Sequence, residues 1–252
     1  MRPWLTLEKV STPAGPLELR QRGDRDFLIM IDGRVLMTSA AHRSEDALAQ
    51  RACEALAGNL KPRILLGGLG MGFTLRAALD RLPRDARIDL VDLNECVVSW
   101  CKGPLRELSR NALADRRVNV ILGDVAKVIA QAPLGHYHAI IIDLYEGPHA
   151  AVNGPRDPLY GISAIAQVRR ALTLNGIFAV WSEEPDRPFE DRLGKGGFAV
   201  KRLRSGEGGS IHAVYLATRQ PRPAQSSHAP RSNRPTTRRA SQRAAEPQPS
   251  RR

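Results

Sequence analysis

Acidic side chains directly follow three apolar stretches of the chain: Asp92, Asp124 and Asp143. Carboxylates accept hydrogen bonds from hydroxyls and amines, and they exchange protons with a reacting group. The carboxyl ends of neighbouring parallel strands meet at one edge of a sheet, where such sheets bind their ligands. If the three stretches are such strands, the spacing predicts one site that holds a nucleoside beside a proton acceptor.

Two of these acids suit the nucleoside itself. Asp92 ends the second predicted strand, where an acid accepts two hydrogen bonds from ribose hydroxyls. Asp124 follows the third predicted strand and is placed to receive the exocyclic amine of adenine, although a helix N-cap is an equal alternative. An acid at the third strand favours nucleosides of the S-adenosylmethionine type over NAD.

A glycine loop joins the first predicted strand to the next helix. Gly68, Gly70 and Gly72 form a GxGxG sequence, in which glycine permits a sharp turn and a close approach to a ligand. The spacing differs from the GxGxxG of dinucleotide sites, and a tight turn without a ligand is the alternative. A nucleoside that carries no pyrophosphate suits this shorter loop.

The fourth predicted strand ends in Asp143, Tyr145 and Glu146. Two carboxylates in a crevice are suited to hold and deprotonate an amine or hydroxyl acceptor, and capping of the loop is the alternative. The loop that follows, through Pro148 to Tyr160, is long enough to act as a lid. Trp181, at the end of the fifth strand, is either a wall of the site or a core residue.

These residues need a sheet to position them, and strands alternate with helices from Lys61 to Trp181. The alternation predicts an α/β fold with a Rossmann-like, doubly wound, mostly parallel sheet. An antiparallel hairpin at 198–216 is expected at one edge. We expect a small antiparallel β segment at 1–40, a nucleoside-binding transferase domain at 41–218, and a disordered tail at 219–252.

The tail carries most of the net charge of +12, because it holds nine arginines and one acid. It lacks large apolar residues and cannot offset its ordering entropy by burial. It acts either as a solubilising extension or in weak contact with nucleic acid or an anionic surface.

The composition excludes several classes of protein. Hydrophobic residues make up 42% of the 252 residues and charged residues 25%, as in ordinary globular proteins. The apolar runs are too short to span a bilayer and no secretory signal precedes them, so the expected location is the cytoplasm. His136 and His138 lack a second cluster of ligands, so no metal site is expected.

The motifs ILLGGLGMGFTLRAAL, IDLVDLNECVV, VNVILGDVAKVI and YHAIIIDLYEGP resemble the spermidine/spermine synthase family, which has the class I S-adenosylmethionine-dependent transferase fold. The resemblance covers about residues 15 to 218. It implies that Asp92 binds ribose and that Asp124 binds adenine. It also implies that Asp143 is the catalytic base and that Glu146 helps to bind an amine. A homodimer is a further expectation from the family.

Two departures from the family pattern concern the other half of the site. Met71 stands where the glycine loop of the family carries an Asp that contacts the donor. This departure predicts that intact S-adenosylmethionine binds at least as tightly as the decarboxylated form. Glu45, Asp46 and Ala47 match the Tyr-His-Glu of the family near the amine acceptor.

Three functions follow from this pattern. The first is a spermidine synthase-like transferase that moves an aminopropyl-type group from an adenosyl sulfonium donor to a small-molecule amine. The donor would be S-adenosylmethionine or its decarboxylated form, with no metal. The alternatives are an S-adenosylmethionine-dependent methyltransferase and a non-catalytic nucleoside-binding protein.

Overall fold

An antiparallel sheet comes first along the chain in the computed structural model, which describes residues 2–145, 147–148, 154–205 and 212–221. Its strands are β1 (Leu5–Thr12), β2 (Gly15–Arg22), β3 (Asp26–Ile31) and β4 (Arg34–Thr38), paired in that order. Asp32 and Gly33 make the predicted turn with φ angles of 46° and 78°. Strand β1 was not predicted, because most of its side chains are exposed and show no apolar alternation.

A second sheet contains the remaining strands of the described chain. They are β5 (Arg63–Gly67), β6 (Arg87–Asp92), β7 (Val118–Leu122), β8 (Tyr137–Ile142), β9 (Leu172–Ser182), β10 (Phe198–Ser205) and β11 (His212–Arg219). Their spatial order is β10-β11-β9-β8-β5-β6-β7. Strands β5 to β9 pair in parallel, and β11 pairs antiparallel with both β9 and β10. The predicted Rossmann-like fold class is therefore confirmed.

Helices cover both faces of this sheet. They are α1 (Arg43–Glu54), α2 (Phe73–Leu79), α3 (Glu95–Lys102), α4 (Val125–Gln131), α5 (Ile162–Ala171) and α6 (Arg187–Lys195). Helix α3 ends well before the expected Arg110, because Gly103 closes it and a proline follows. Helix α6 was not predicted; Asp186 caps it by accepting the Phe189 N–H at 2.9 Å.

The buried side chains form one cluster on each face of the second sheet. One contains Leu48 of α1, Leu75 of α2 and Trp100 of α3, together with Leu19 of the first sheet. The first sheet is thereby packed onto the same face as α1 to α3. The other cluster contains Ile165 of α5 and Phe189 of α6.

The order of the strands reverses between β5 and β8, which are neighbours in the sheet although β6 and β7 lie between them in the sequence. The loops after these two strands diverge to opposite faces and leave a crevice, where open α/β sheets bind ligands. This crevice opens toward the first sheet and α1.

Several predictions concern parts of the chain outside the described residues. They include the disorder of the tail and the glycine-rich turn of the final hairpin. The domain division stays a prediction, although β11 runs one residue past the expected end at Thr218. None of the helices within the described ranges is long and apolar enough to cross a membrane.

Candidate active site

A cavity of about 390 Å³ lies at the carboxyl ends of β5, β6, β7 and β8. Its wall includes residues from the loops after all four strands, such as Gly68, Asp92, Asp124 and Asp143. The predicted acids are therefore brought together in one crevice, although 51 residues separate the first of them from the last. The volume is within the range of small-molecule and cofactor sites.

Asp92 is buried at the end of β6 and is held by the backbone. Its Oδ2 accepts the N–H of Leu69 in the glycine loop, and its Oδ1 accepts the N–H of Asn94, both at 2.9 Å. Burial raises the pKa of this carboxyl, and the hydrogen bonds from Asn94, Leu69 and Leu93 act in the opposite direction. Asp92 thus fixes the glycine loop as well as lining the cavity.

Asp124 caps helix α4, since its Oδ1 accepts the N–H of Ala126 at 2.8 Å. The same residue lies on the cavity wall. The two interpretations of this aspartate, as an N-cap and as a ligand contact, are therefore compatible in one side chain. The cap fixes the carboxylate at the mouth of the cavity before any ligand arrives.

The glycine loop approaches the fourth strand closely. Gly68 has a φ of 94°, and a Cβ at this position would stand 2.1 Å from the carbonyl oxygen of Asp143. Gly70 has a φ of 52°, and a Cβ there would stand 2.9 Å from Sδ of Met37. Both positions require glycine, and both line the cavity.

Gly72 and Met71 of the same loop lie elsewhere than the sequence predicted. Gly72 was expected to contact the nucleoside, but it begins helix α2 with a φ of 82°, and a Cβ there would meet Ser109. Met71 was expected to face the donor, but its side chain is completely buried in the core. Gly70 takes the place on the cavity wall that was assigned to Met71. The expectation about Met71 is therefore wrong.

Asp143 is partly buried at the end of β8. The hydroxyl of Thr74, on α2, donates a short hydrogen bond to its Oδ2. Burial raises the pKa of Asp143 from its usual 3.8 to about 7, with a further rise from the nearby charge of Glu45 and an opposing effect of Thr74. Asp143 therefore exchanges its proton near neutral pH, as a general base requires.

Glu45 is an acid to which the sequence interpretation assigned no role of its own. It lies in the first turn of α1, is 8% exposed, and lines the cavity. Its Oε2 accepts the hydroxyl of Ser44 at 2.5 Å. The signal was present in the sequence: Glu45 lies on the same helical stripe as Leu48, Ala49 and Ala52, all fully buried. A charged residue on a buried stripe is a candidate site residue.

The cavity is strongly acidic. Glu45, Asp92, Asp124 and Asp143 line it, while no Lys, Arg or His is found among the described residues of its wall. Four carboxylates without a basic partner attract a cationic ligand and oppose an anionic one. Within the described ranges, no three His, Cys, Asp or Glu side chains are grouped so as to hold a metal ion.

The remaining predicted residues differ in outcome. Trp181 lies on the cavity wall, and its indole N–H is buried without a hydrogen-bond partner among the described residues. Tyr145 also lines the cavity and is 38% exposed. Glu146 lies outside the described residues, as does part of the expected lid loop.

The fold and the cavity define a Rossmann-like α/β domain with a nucleoside-sized, acidic crevice. The model of the spermine/spermidine synthase domain matches residues 50–189, which is more than half of the chain. The chain therefore belongs to the spermine/spermidine synthase family.

Curated relatives and a solved structure agree with this assignment. A polyamine aminopropyltransferase from Clostridium tetani is 34% identical over 123 residues, which are 49% of this chain and 41% of the relative. Putrescine N-methyltransferase 3 from Nicotiana tabacum is 33% identical over 125 residues, 50% of this chain and 31% of the relative. The match thus spans less than half the length of either relative.

The spermidine synthase structure from Thermotoga maritima superposes with a TM-score of 0.69 at 17% identity. The superposition covers 84% of this chain and 72% of that one. At this identity the likeness establishes the shared fold.

Proposed function

We propose that this protein transfers an aminopropyl group from decarboxylated S-adenosylmethionine to an amine. The observation that carries the proposal is the charge of the cavity, which has four carboxylates and no basic side chain among its described lining residues. The decarboxylated donor is a dication, with a sulfonium and a primary ammonium, and the amine acceptor also arrives as a cation. Both substrates therefore complement the site.

Intact S-adenosylmethionine fits this charge less well, because its carboxylate would enter a site already rich in carboxylates. A like charge about 7 Å away costs about 2 kcal/mol at an effective dielectric constant near 20. The sequence-based expectation of equal binding depended on Met71, whose side chain lies in the core. The charge of the wall instead favours the decarboxylated donor.

Two acids, Asp92 and Asp124, are placed to bind the nucleoside of the donor. Each oxygen of Asp92 already accepts one backbone N–H, and each retains a lone pair for a ribose hydroxyl. Asp124 uses Oδ1 for the cap of α4, which leaves Oδ2 for the amine of adenine. Both carboxylates are held in place before binding, which lowers the cost of ordering the site.

The chemistry needs alignment and one proton acceptor. Asp143 takes a proton from the acceptor ammonium, and the freed lone pair attacks the propyl carbon bonded to sulfur. The carbon–sulfur bond breaks and its electron pair remains on sulfur, which leaves neutral methylthioadenosine. The positive charge of the sulfonium passes to the alkylated nitrogen of the product, and Asp143 releases its proton to solvent. A pKa of about 7 suits this exchange.

Methyl transfer from intact S-adenosylmethionine is the second candidate. It is favoured by the relatives named putrescine N-methyltransferase, which match this chain as closely as the aminopropyltransferases do. The same acids would bind a methyl donor, so the choice between the two functions depends on whether the site prefers the intact or the decarboxylated donor.

The deciding experiment titrates both donors into the purified protein by calorimetry and then identifies the products by mass spectrometry. We expect the decarboxylated donor to bind at least about tenfold more tightly, in line with the Coulomb cost above. Release of methylthioadenosine on addition of an amine completes the test. Tighter binding of the intact donor with a methylated product would establish the second candidate, and binding of neither would refute both.

Other parts of the expected function stay predictions. They are the amine-binding role of Glu146, a homodimer, a cytoplasmic location, and the contact of the tail with nucleic acid or an anionic surface. None of them enters the reaction scheme above.

A further inference from the structure

The acids of the cavity fall into two groups by position. Asp92 and Asp124 follow the adjacent strands β6 and β7, on one side of the crevice. Glu45 and Asp143 are close enough for the charge of one to raise the pKa of the other, and they lie toward α1 and β8. The first pair faces the nucleoside in the proposed function, so the second pair is left for the ammonium groups of the donor and the acceptor.

Glu45 and Asp143 have no cationic partner among the described residues. Their hydrogen bonds come from hydroxyls only: Ser44 donates to Glu45 and Thr74 donates to Asp143. A carboxylate as deeply buried as Glu45 is normally paired with a cation or with several donors. The missing positive charge is supplied when a cationic nitrogen binds between the two acids.

The wall beyond these acids is apolar. The first sheet contributes Leu17, Ile29, Leu36 and Met37, one side chain or more from each of β2, β3 and β4. Leu144 and the ring of Trp181 continue the same wall on the side of the second sheet. None of these described side chains offers a counter-charge to a second ammonium, whereas an amine-binding role of Glu146, which lies outside the described residues, would favour a diamine. An ammonium placed against them would lose its water without gaining a partner.

We infer that the acceptor is an amine with one cationic nitrogen on an apolar body, and that Glu45 positions this nitrogen beside Asp143. This inference rests on the proposed function and narrows its acceptor class. The apolar body lies along the side chains of the first sheet, where its burial contributes to binding in proportion to its area. A diamine of the same length would have to bury its second charge there.

A matched pair of acceptors tests the inference. Hexylamine and 1,5-diaminopentane have the same number of non-hydrogen atoms and differ in a methyl group against an ammonium. With the decarboxylated donor, we expect kcat/KM to be at least about tenfold higher for hexylamine. Calorimetry of each amine with the protein saturated by methylthioadenosine measures the same preference without turnover.

Two variants and one control locate the acceptor preference on the protein. Glu45→Gln should raise KM for hexylamine about tenfold or more, a larger change than in the Kd of the decarboxylated donor. Asp46→Asn is the matched control, because it removes a neighbouring acid of the same helical turn that instead contacts His42 at 2.9 Å. Leu36→Glu, on the partly exposed strand β4, should shift the ratio of the two acceptors toward the diamine.

The outcomes separate the inference from the function on which it rests. Preference for the diamine, with release of methylthioadenosine, would overturn the acceptor class and leave aminopropyl transfer standing. Donor binding without methylthioadenosine from any amine would overturn the proposed function, and the acceptor class would fall with it. An unchanged KM in Glu45→Gln would remove Glu45 from the acceptor site.

Discussion

The two sides of the cavity hold their acids in different ways. On the donor side, Asp92 and Asp124 accept hydrogen bonds from backbone N–H groups of the loops that they line. On the acceptor side, Glu45 and Asp143 are held by the hydroxyls of Ser44 and Thr74. The donor side is fixed by the backbone, whereas the acceptor side is fixed by side-chain hydroxyls, one within α1 and one that joins α2 to the end of β8.

This difference has a chemical consequence. Backbone N–H groups stabilise an ionised carboxylate and offset the effect of burial at Asp92. At Asp143, burial and the charge of Glu45 outweigh the one bond from Thr74, so its pKa rises to about 7. One side is built for steady hydrogen bonding to a nucleoside, and the other for exchange of a proton.

The largest expected effect belongs to Asp143→Asn. The amide cannot accept a proton, so kcat should fall by about 10²–10⁴, while the Kd of the donor changes little. If donor affinity falls as far as turnover in this variant, the proposed division between the two sides is wrong. A fully active variant would show that the base lies elsewhere.

The same variant should also be more stable than the wild type at alkaline pH. The pKa of Asp143 is higher in the folded than in the unfolded chain, so the folded state binds more protons between about pH 4 and 7. The free energy of unfolding of the wild type therefore falls as pH rises through that window. Above it, the stability of Asp143→Asn relative to the wild type should rise by ~4 kcal/mol, and below about pH 4 this gain should vanish. Denaturant unfolding at both pH values measures the difference.

The next effect is at Asp92, where we compare Asp92→Ala with Asp92→Asn. Alanine removes the acceptors of two ribose hydroxyls, and the donor Kd should rise by about 10²-fold. It also releases the N–H groups of Leu69 and Asn94, which should lower the free energy of unfolding by about 2 kcal/mol.

Asp92→Asn keeps one oxygen acceptor, so it should lose less donor affinity and less free energy of unfolding than Asp92→Ala. Equal donor affinity in all three proteins would place the ribose elsewhere.

A smaller effect is expected at Thr74, which supports the acceptor side. Thr74→Val removes the hydroxyl that lowers the pKa of Asp143, so this pKa should rise by about one unit. Thr74→Ser keeps a hydroxyl and should leave it near the wild-type value. Carboxyl chemical shifts in the ligand-free protein, followed by NMR over pH, report the change directly. A lower pKa in the valine variant would contradict the assigned role of Thr74.

The same contrast explains which parts could be predicted from the sequence. The donor side is local: Asp92 and Asp124 each follow their strand directly, and glycines mark the loop. Apolar runs such as Ile64–Leu66 and Ala139–Ile142 indicate parallel strands by composition alone, so the order of the elements follows from the pattern.

The acceptor side depends on packing between distant segments. Met37 reaches the cavity because β4 lies against Gly70, and no local pattern reports that contact. Met71 misled the prediction for the same reason. Its place beside two glycines suggested the cavity, while its side chain turns into the core between α2 and the first sheet. Whether a loop residue faces a ligand depends on φ angles that the sequence does not display.

The smallest effect is expected at Asp124. This residue gives the finest test of how the donor side is held, because it has both a structural and a binding role. Asp124→Ala removes the cap of α4 and should cost about 1 kcal/mol of stability, along with part of the donor affinity. Asp124→Ser restores a side-chain oxygen for the N–H of Ala126 but carries no charge. We therefore expect serine to recover the melting temperature and not the donor affinity. If serine recovers both, the backbone cap alone organises that edge of the cavity, and adenine makes no contact with the carboxylate.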